Sequence, residues 1–260
     1  MNLDILYKQF NKPAFIASDP ISVPHMYTKR EDIEIAALFA AIFAWGQRTT
    51  IVNKSKELLK LMDDAPYDFM MQHQDSDLKV FESFKHRTFN ATDALYFIEF
   101  LKNVYRQNFT LEDAFILKDL FNDAVRIKTK NNIEPYLNNF RANFFSLSDP
   151  PHRTKKHISS PEQGSTCKRL CMFLRWMVRK DKQGVDFGIW KNIKSSELVC
   201  PVDIHVERIA REFKLITRKQ LDWLTAVELT ENLKKLDAND PVKYDFALFG
   251  YGVNRLHNKI

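Results

Sequence analysis

Apolar positions along this chain recur at helical spacing, and no stretch alternates convincingly at period two. Leu3, Leu6, Tyr7 and Phe10 form an i, i+3, i+4, i+7 set, which predicts a short amphipathic helix over residues 1–10. A connector carrying Pro13, Pro20 and Pro24 follows. Glu31 then opens a helix that is apolar on nearly every side from Ile35 to Phe43, the pattern of a central helix. The stretch AWGQRTT breaks it, and a helix restarts over 51–62. Short helices are expected over 66–74 and 76–84, with a basic loop over 85–90. The 92–105 stretch repeats Leu95, Ile98, Leu101 and Val104 near the helical period. Thr110 suits the cap of a helix carrying Leu111, Phe115, Leu120 and Phe121. Residues 133–147 continue the pattern with Tyr136, Leu137, Phe140 and Phe144.

The irregular segment SDPPHRTKKHISSPEQGS, Ser148 to Ser165, comes next, and Pro150 and Pro151 stop the helix before it. A helix over 166–180 follows, then a connector with a short helix around 187–193. Val206, Ile209, Ala210 and Phe213 mark the inner face of a helix over 203–214. Two more helices, over 219–236 and 242–254, close the chain. The expected fold is all-α. A central bundle over 31–182 would end in the basic helix, and residues 1–30 with 183–260 would form a second helical subdomain, the two flanking a cleft.

Composition narrows the class. With 260 residues, 45% of them hydrophobic and only 6 Gly, the chain has material for a substantial helical core. Its longest apolar run, Ile35 to Trp45, is too short to span a bilayer. Asp4 and Lys8 interrupt any signal-peptide block, so a cytoplasmic protein without membrane association is expected. The three cysteines give no disulfide framework and no metal-ligand spacing; Cys167 and Cys171 read as small core residues. Neither a metal nor an organic cofactor is expected.

Charge is uneven. The formal net charge is +6, yet Pro151 to Gly184 alone hold nine Lys/Arg against Glu162 and Asp181. A chain that concentrates its positive excess in one segment suits a polyanionic partner, and equally suits a solvated basic face.

Two residues there carry candidate chemistry. Lys168 falls in the first turn of the basic helix, where the helix dipole disfavours an ammonium. Arg169 is adjacent, and Arg175 and Arg179 share its helical stripe, so the positive surroundings are expected to favour the neutral, nucleophilic amine. The bland alternative is a phosphate-binding lysine, and Lys155 and Lys156 stand in the same segment as other candidate nucleophiles. Asp203 precedes the apolar face of the next helix, 35 positions on. An N-cap explains it, and a carboxylate fixed by capping can also stabilise positive charge developing on a sugar. His205 lies off the apolar stripe and could reach a phosphate.

The stretch CPVDIHVERIAREF resembles the Val-Asp-x-His-Val-x-Arg motif of the helix-hairpin-helix DNA glycosylases, the superfamily of endonuclease III and the oxidised-guanine glycosylases. The resemblance implies that Asp203 is catalytic and that an upstream lysine, here Lys168, attacks the sugar. The usual Leu-Pro-Gly-x-Gly hairpin is missing, and the nearer analogue is the archaeal oxidised-guanine branch with a long, non-standard hairpin, here 148–165. The cysteine cluster of endonuclease III is absent, since no cysteine follows Cys200. The chain as a whole resembles a bacterial family of uncharacterised conserved proteins.

Two further matches extend the resemblance. AWGQRTT implies that Gln47 fills the gap left by an extruded nucleotide. KYDFALFG implies that Asp245 reads a flipped base edge and Phe249 stacks on the base. The expected function is a DNA glycosylase, with AP lyase activity, that excises an oxidised purine from double-stranded DNA. Expected DNA contacts are Gln47, Arg48, Arg153, Lys155, Lys156, Gly164, Ser165, Arg169, Arg175 and His205. The competing readings are a non-catalytic nucleic-acid-binding protein on the same scaffold and a helical protein–protein adaptor.

Overall fold

In the computed structural model, which describes residues 2–107, 110–116 and 132–257, the chain is 64% helix and 2% strand. The all-α expectation holds. Among the described residues the helices are α1 (Leu3–Phe10), α2 (Arg30–Phe43), α3 (Arg48–Lys60), α4 (Pro66–Gln72), α5 (Ala91–Arg106), α6 (Leu111–Phe115), α7 (Glu134–Phe144), α8 (Lys168–Val178), α9 (Ile204–Glu212), α10 (Trp223–Lys234) and α11 (Tyr244–His257). No helix among them is long and apolar enough to cross a membrane. The expected positions Leu120 and Phe121 lie outside the described residues.

The chain divides into two units. One holds residues 18–107, 110–116 and 135–159 and is built around α2. Every residue from Ile35 to Phe43 is fully buried, as its all-round apolar pattern requires. Glu34, also on α2, is buried too, and its carboxylate accepts from Arg30 Nε at 3.0 Å, the Tyr105 hydroxyl at 3.0 Å and the Leu111 backbone N–H at 3.1 Å. A buried charge so satisfied ties α2 to α5 and to the start of α6. Aromatic rings fill the remaining core, with Phe39, Phe43, Phe89, Phe97 and Phe144 meeting edge to face or tilted. At the start of α5 the Asn90 backbone N–H donates to Asp93 Oδ2 at 3.0 Å. The expected 76–84 helix is a 3₁₀ segment, Asp75–Phe81.

The other unit holds residues 2–17, 132–134 and 160–257. Its hub is α11, onto which α1 and α9 pack. Glycine makes both approaches possible: a Cβ on Gly250 would lie 2.4 Å from the Phe10 ring, and one on Gly252 would lie 3.3 Å from the His205 carbonyl oxygen. The unit boundary differs from the expected one. Helix α8 belongs with the chain termini rather than with a 31–182 bundle, because its buried arginines bond to Tyr7 and to the start of α11.

Two local expectations are corrected here. The helix expected around 187–193 does not form. Its backbone donors instead cap the carbonyls at the end of α8, Phe187 N–H to Trp176 O at 2.8 Å and Trp190 N–H to Met177 O at 2.9 Å. Helix α8 begins at Lys168, not Thr166, because Cys167 stands in the left-handed region at φ +51°. All three cysteines are buried and free, which fits the core reading.

Candidate active site

Lys168 and Asp203, 35 positions apart, come together within the unit formed by the chain termini. The Lys168 amine lies 3.7 Å from Asp203 Oδ2, within ion-pair reach and just beyond hydrogen-bond length. Each position has a local cause. Lys168 is the first residue of α8, fixed by the turn at Cys167, whose N–H donates to Ser165 Oγ at 3.1 Å. Asp203 is the N-cap of α9: its Oδ1 accepts from the His205 and Val206 N–H groups, both at 2.9 Å. Capping occupies one carboxylate oxygen and leaves the other facing the lysine. Both side chains are partly exposed, 28% for Lys168 and 17% for Asp203, so a substrate can reach them.

Beneath this pair the charges differ from the expected basic stripe. Arg175 and Arg179, expected to line a positive face with Lys168, are almost fully buried. Arg175 bonds Asp245 Oδ2, sits 3.3 Å from Asp186 and covers the Phe246 ring at 4.3 Å. Arg179 reaches Asp186 and Asp240 at 2.9 Å, and Asp181 and the Tyr7 hydroxyl at 2.8 Å. Arg175 is therefore a buried structural cation and not a phosphate contact. A bare guanidinium cannot stay out of water, so each of the two is met by carboxylates. Burial opposes the charge on Arg179, but Asp186 and Asp240 outweigh it and hold the group well above its usual range. The positive stripe expected beside Lys168 is thus two buried arginines, each paired to carboxylates.

Asp245 joins the two layers. Burial pushes its carboxyl from 3.8 up to about 6; Arg175 and Lys168 pull it down, and Asp203 and Asp186 push it further up. It therefore shares one electrostatic neighbourhood with the Lys168–Asp203 pair. The sign of its effect on stability follows. Between about pH 4 and about pH 6 the folded protein holds a proton here that the unfolded chain has lost. The contribution is full below the unfolded value and is lost as pH rises through about 6. Urea midpoints of wild type and Asp245→Asn, measured from pH 4 to 7.5, should show the wild type's relative stability falling as pH rises. A difference that stays constant across this range would contradict the assignment.

The remaining expected contacts in this unit fall around the pair. His205 is half-buried, with its ring edge-on to Phe249 at 6.4 Å between centroids. Asp245 and Phe249 lie one turn apart on α11, Asp245 buried and Phe249 half-buried. Gly164 is exposed at φ +72°, and Ser165 is half-buried. Arg169 is half-buried, and burial lowers its pKa, so it is no free surface cation. Among the described residues no group of three or more His, Cys, Asp or Glu could hold a metal ion. Sequence reasoning missed Tyr7, Asp186 and Asp240, the groups that hold the α8 arginines. Their only signal was the need of Arg175 and Arg179, once seen on an otherwise apolar helix, for partners.

A family model described as "Protein of unknown function (DUF2400)" matches residues 19–254. The chain belongs to the DUF2400 family. No curated protein and no solved structure matches it. The stretch shared with DUF2400 contains Lys168, Asp203, Asp245 and Phe249, while Tyr7 precedes it. It also contains the expected contacts of the other unit. There Gln47 is exposed at the start of α3, and Arg48 is half-buried. Lys155 and Lys156 are exposed on a 3₁₀ turn, His152–Lys156. Arg153 donates to the Thr88 carbonyl at 2.9 Å and lies 3.3 Å from Asp93.

Proposed function

We propose that this protein is a DNA-repair glycosylase with AP lyase activity, acting in the cytoplasm on double-stranded DNA and excising a damaged base, an oxidised purine such as oxidised guanine. The observation that carries this reading is the Lys168 amine 3.7 Å from a carboxylate whose other oxygen is locked by two backbone N–H groups. The two side chains are partly open to solvent and remote along the chain, which is more than capping requires.

The chemistry divides between them. Asp203 is the group within reach to take the proton that Lys168 must lose. The neutral nitrogen then attacks C1′ of an extruded nucleotide. The C1′–N bond to the base breaks, its electron pair leaves with the base, and the base nitrogen takes up a proton. Asp203 hands the proton it took from Lys168 to that base nitrogen as the bond breaks, and the carboxylate so restored faces the positive charge that develops at C1′. Opening of the sugar ring with loss of the second amine proton gives a Schiff base between Lys168 and C1′. That linkage acidifies the C2′ hydrogen, and β-elimination of the 3′-phosphate nicks the strand. Phe249 offers a ring for the flipped base. Asp245, one oxygen of which Arg175 holds, offers the other to the base edge. In this unit Gly164 and Ser165 would contact the DNA backbone; in the other unit Gln47, Arg48, Arg153, Lys155 and Lys156 are the proposed DNA contacts.

The test uses duplex DNA carrying oxidised guanine, with base release and borohydride trapping read in parallel. Wild type should give both free base and a covalent protein–DNA band. Asp203→Asn keeps a good N-cap residue and removes the charge, so it should fold like wild type and lose about 10²- to 10⁴-fold in base release. Binding without release or trapping would instead favour the non-catalytic nucleic-acid-binding reading.

A further inference from the structure

Residues 85–90, read from sequence as a basic loop, form a hairpin. Strand β1 (Lys85–His86) pairs antiparallel with β2 (Phe89–Asn90), Lys85 opposite Asn90 and His86 opposite Phe89. Arg87 stands at its tip with φ +56°, a left-handed conformation that residues with a Cβ rarely adopt. The tip is braced from several sides, all within one unit. The Arg87 guanidinium lies over the Trp45 ring at 4.6 Å. Gly46 stands at φ +104°, a conformation that a side chain would strain, and its Cα faces the Arg87 guanidinium, with a Cβ there 2.5 Å from Arg87 Nη1. His86 is buried beneath, edge-on to Trp45 at 6.2 Å, with Nε2 3.3 Å from the Phe43 carbonyl oxygen. Arg153 donates to the Thr88 carbonyl at 2.9 Å.

This bracing holds a cation with no carboxylate partner among the described residues. Among the described residues no ion pair is formed by Arg87. Glu57, whose charge is felt at His86 together with those of Arg87 and Lys54, is paired to Lys54 at 2.7 Å. Asp93 is taken by Thr154 at 2.8 Å and by Arg153. Lys85, Arg87 and Gln47 are exposed. None of residues 45–48 and 85–90 is among the exposed large apolar side chains, and the exposed groups of the hairpin are polar or cationic. A planar, preorganised guanidinium whose donors meet no acceptor among the described residues matches a phosphodiester.

We infer that the 85–90 hairpin is a second nucleic-acid-gripping element, with Arg87 on its Trp45 shelf holding a backbone phosphate of double-stranded DNA beside Gln47. This rests on the reading that the chain binds duplex DNA, and it holds whether or not a base is excised. The experiment is fluorescence anisotropy of the full chain with labelled undamaged duplex, titrated across salt. Arg87→Gly suits the positive φ and removes the charge. It should melt like wild type, bind every duplex sequence more weakly, and lower the slope of log affinity against log salt by about one. Arg87→Lys keeps the charge and should retain the wild-type slope while binding more weakly, because the stacked fork is lost. If Arg87→Gly melts lower than wild type, Arg87→Gln is read in its place, with the same expected slope. A well-folded Arg87→Gly or Arg87→Gln with the wild-type slope overturns the inference, as does a wild type that binds no duplex. Trapping on damaged duplex separates the two readings. Wild type that traps DNA while the slope ignores Arg87 sinks only the hairpin. An Arg87-dependent slope without trapping or base release sinks only the glycosylase.

Discussion

Lys168→Gln should leave no borohydride-trapped band on duplex DNA carrying oxidised guanine, and should cut base release by about 10³-fold or more. Glutamine keeps the length and polarity of the side chain at the first position of α8 and removes the amine that the bond to C1′ needs. Lys168 is 28% exposed and contributes one ion pair to Asp203, so its loss costs little folding energy, about 1 kcal/mol or less. Thermal unfolding should therefore match wild type while the chemistry disappears. Lys155→Gln and Lys156→Gln are the controls, since both lysines are exposed in the other unit. Trapping that survives in Lys168→Gln and vanishes in either control would move the nucleophile and dismantle the proposed role of Asp203.

The second large effect is on stability. Arg179→Met should destabilise the protein by about 3–5 kcal/mol, the range for breaking a buried ion pair from one side. Arg179 is 1% exposed and bonds Asp186, Asp240, Asp181 and Tyr7. Methionine replaces much of its volume but strands those carboxylates. Of them, Asp186 is 3% exposed and among the described residues keeps Arg175. Urea unfolding near neutral pH checks this, and a loss below about 1 kcal/mol would mean that water reaches the aspartates after all. The variant should regain stability on acidification, because protonating the stranded carboxylates removes the penalty.

The two expected effects separate a proposed nucleophile that the fold barely needs from a structural cation. The sequence placed both on one stripe of one helix, Lys168 and Arg179 among them, and treated the stripe as a single positive face. Helical periodicity gives the angle of each residue around the helix axis, but not what stands opposite. The end of the stripe at Lys168 opens to solvent beside Asp203, while Arg175 and Arg179 turn into aspartates from the 181–186 loop and from the α11 region. The same limit applies to Lys85 to Asn90. Its basic composition was legible, whereas the hairpin that holds Arg87 against Trp45 depends on a contact between segments more than forty residues apart.

What the sequence determined by itself is what depends on near neighbours along the chain. The all-α class, the fully buried α2, the cap at Asp203 and the break at Gly46 all follow from spacing and from the backbone needs of single residues. Tertiary structure alone decided which charges remain available. Burial and ion pairing are set by whatever the rest of the chain brings alongside, and that partner is encoded nowhere near the residue it neutralises. Lys168 and Arg87 stay open to solvent, and Arg175 and Arg179 are buried against carboxylates, for that reason.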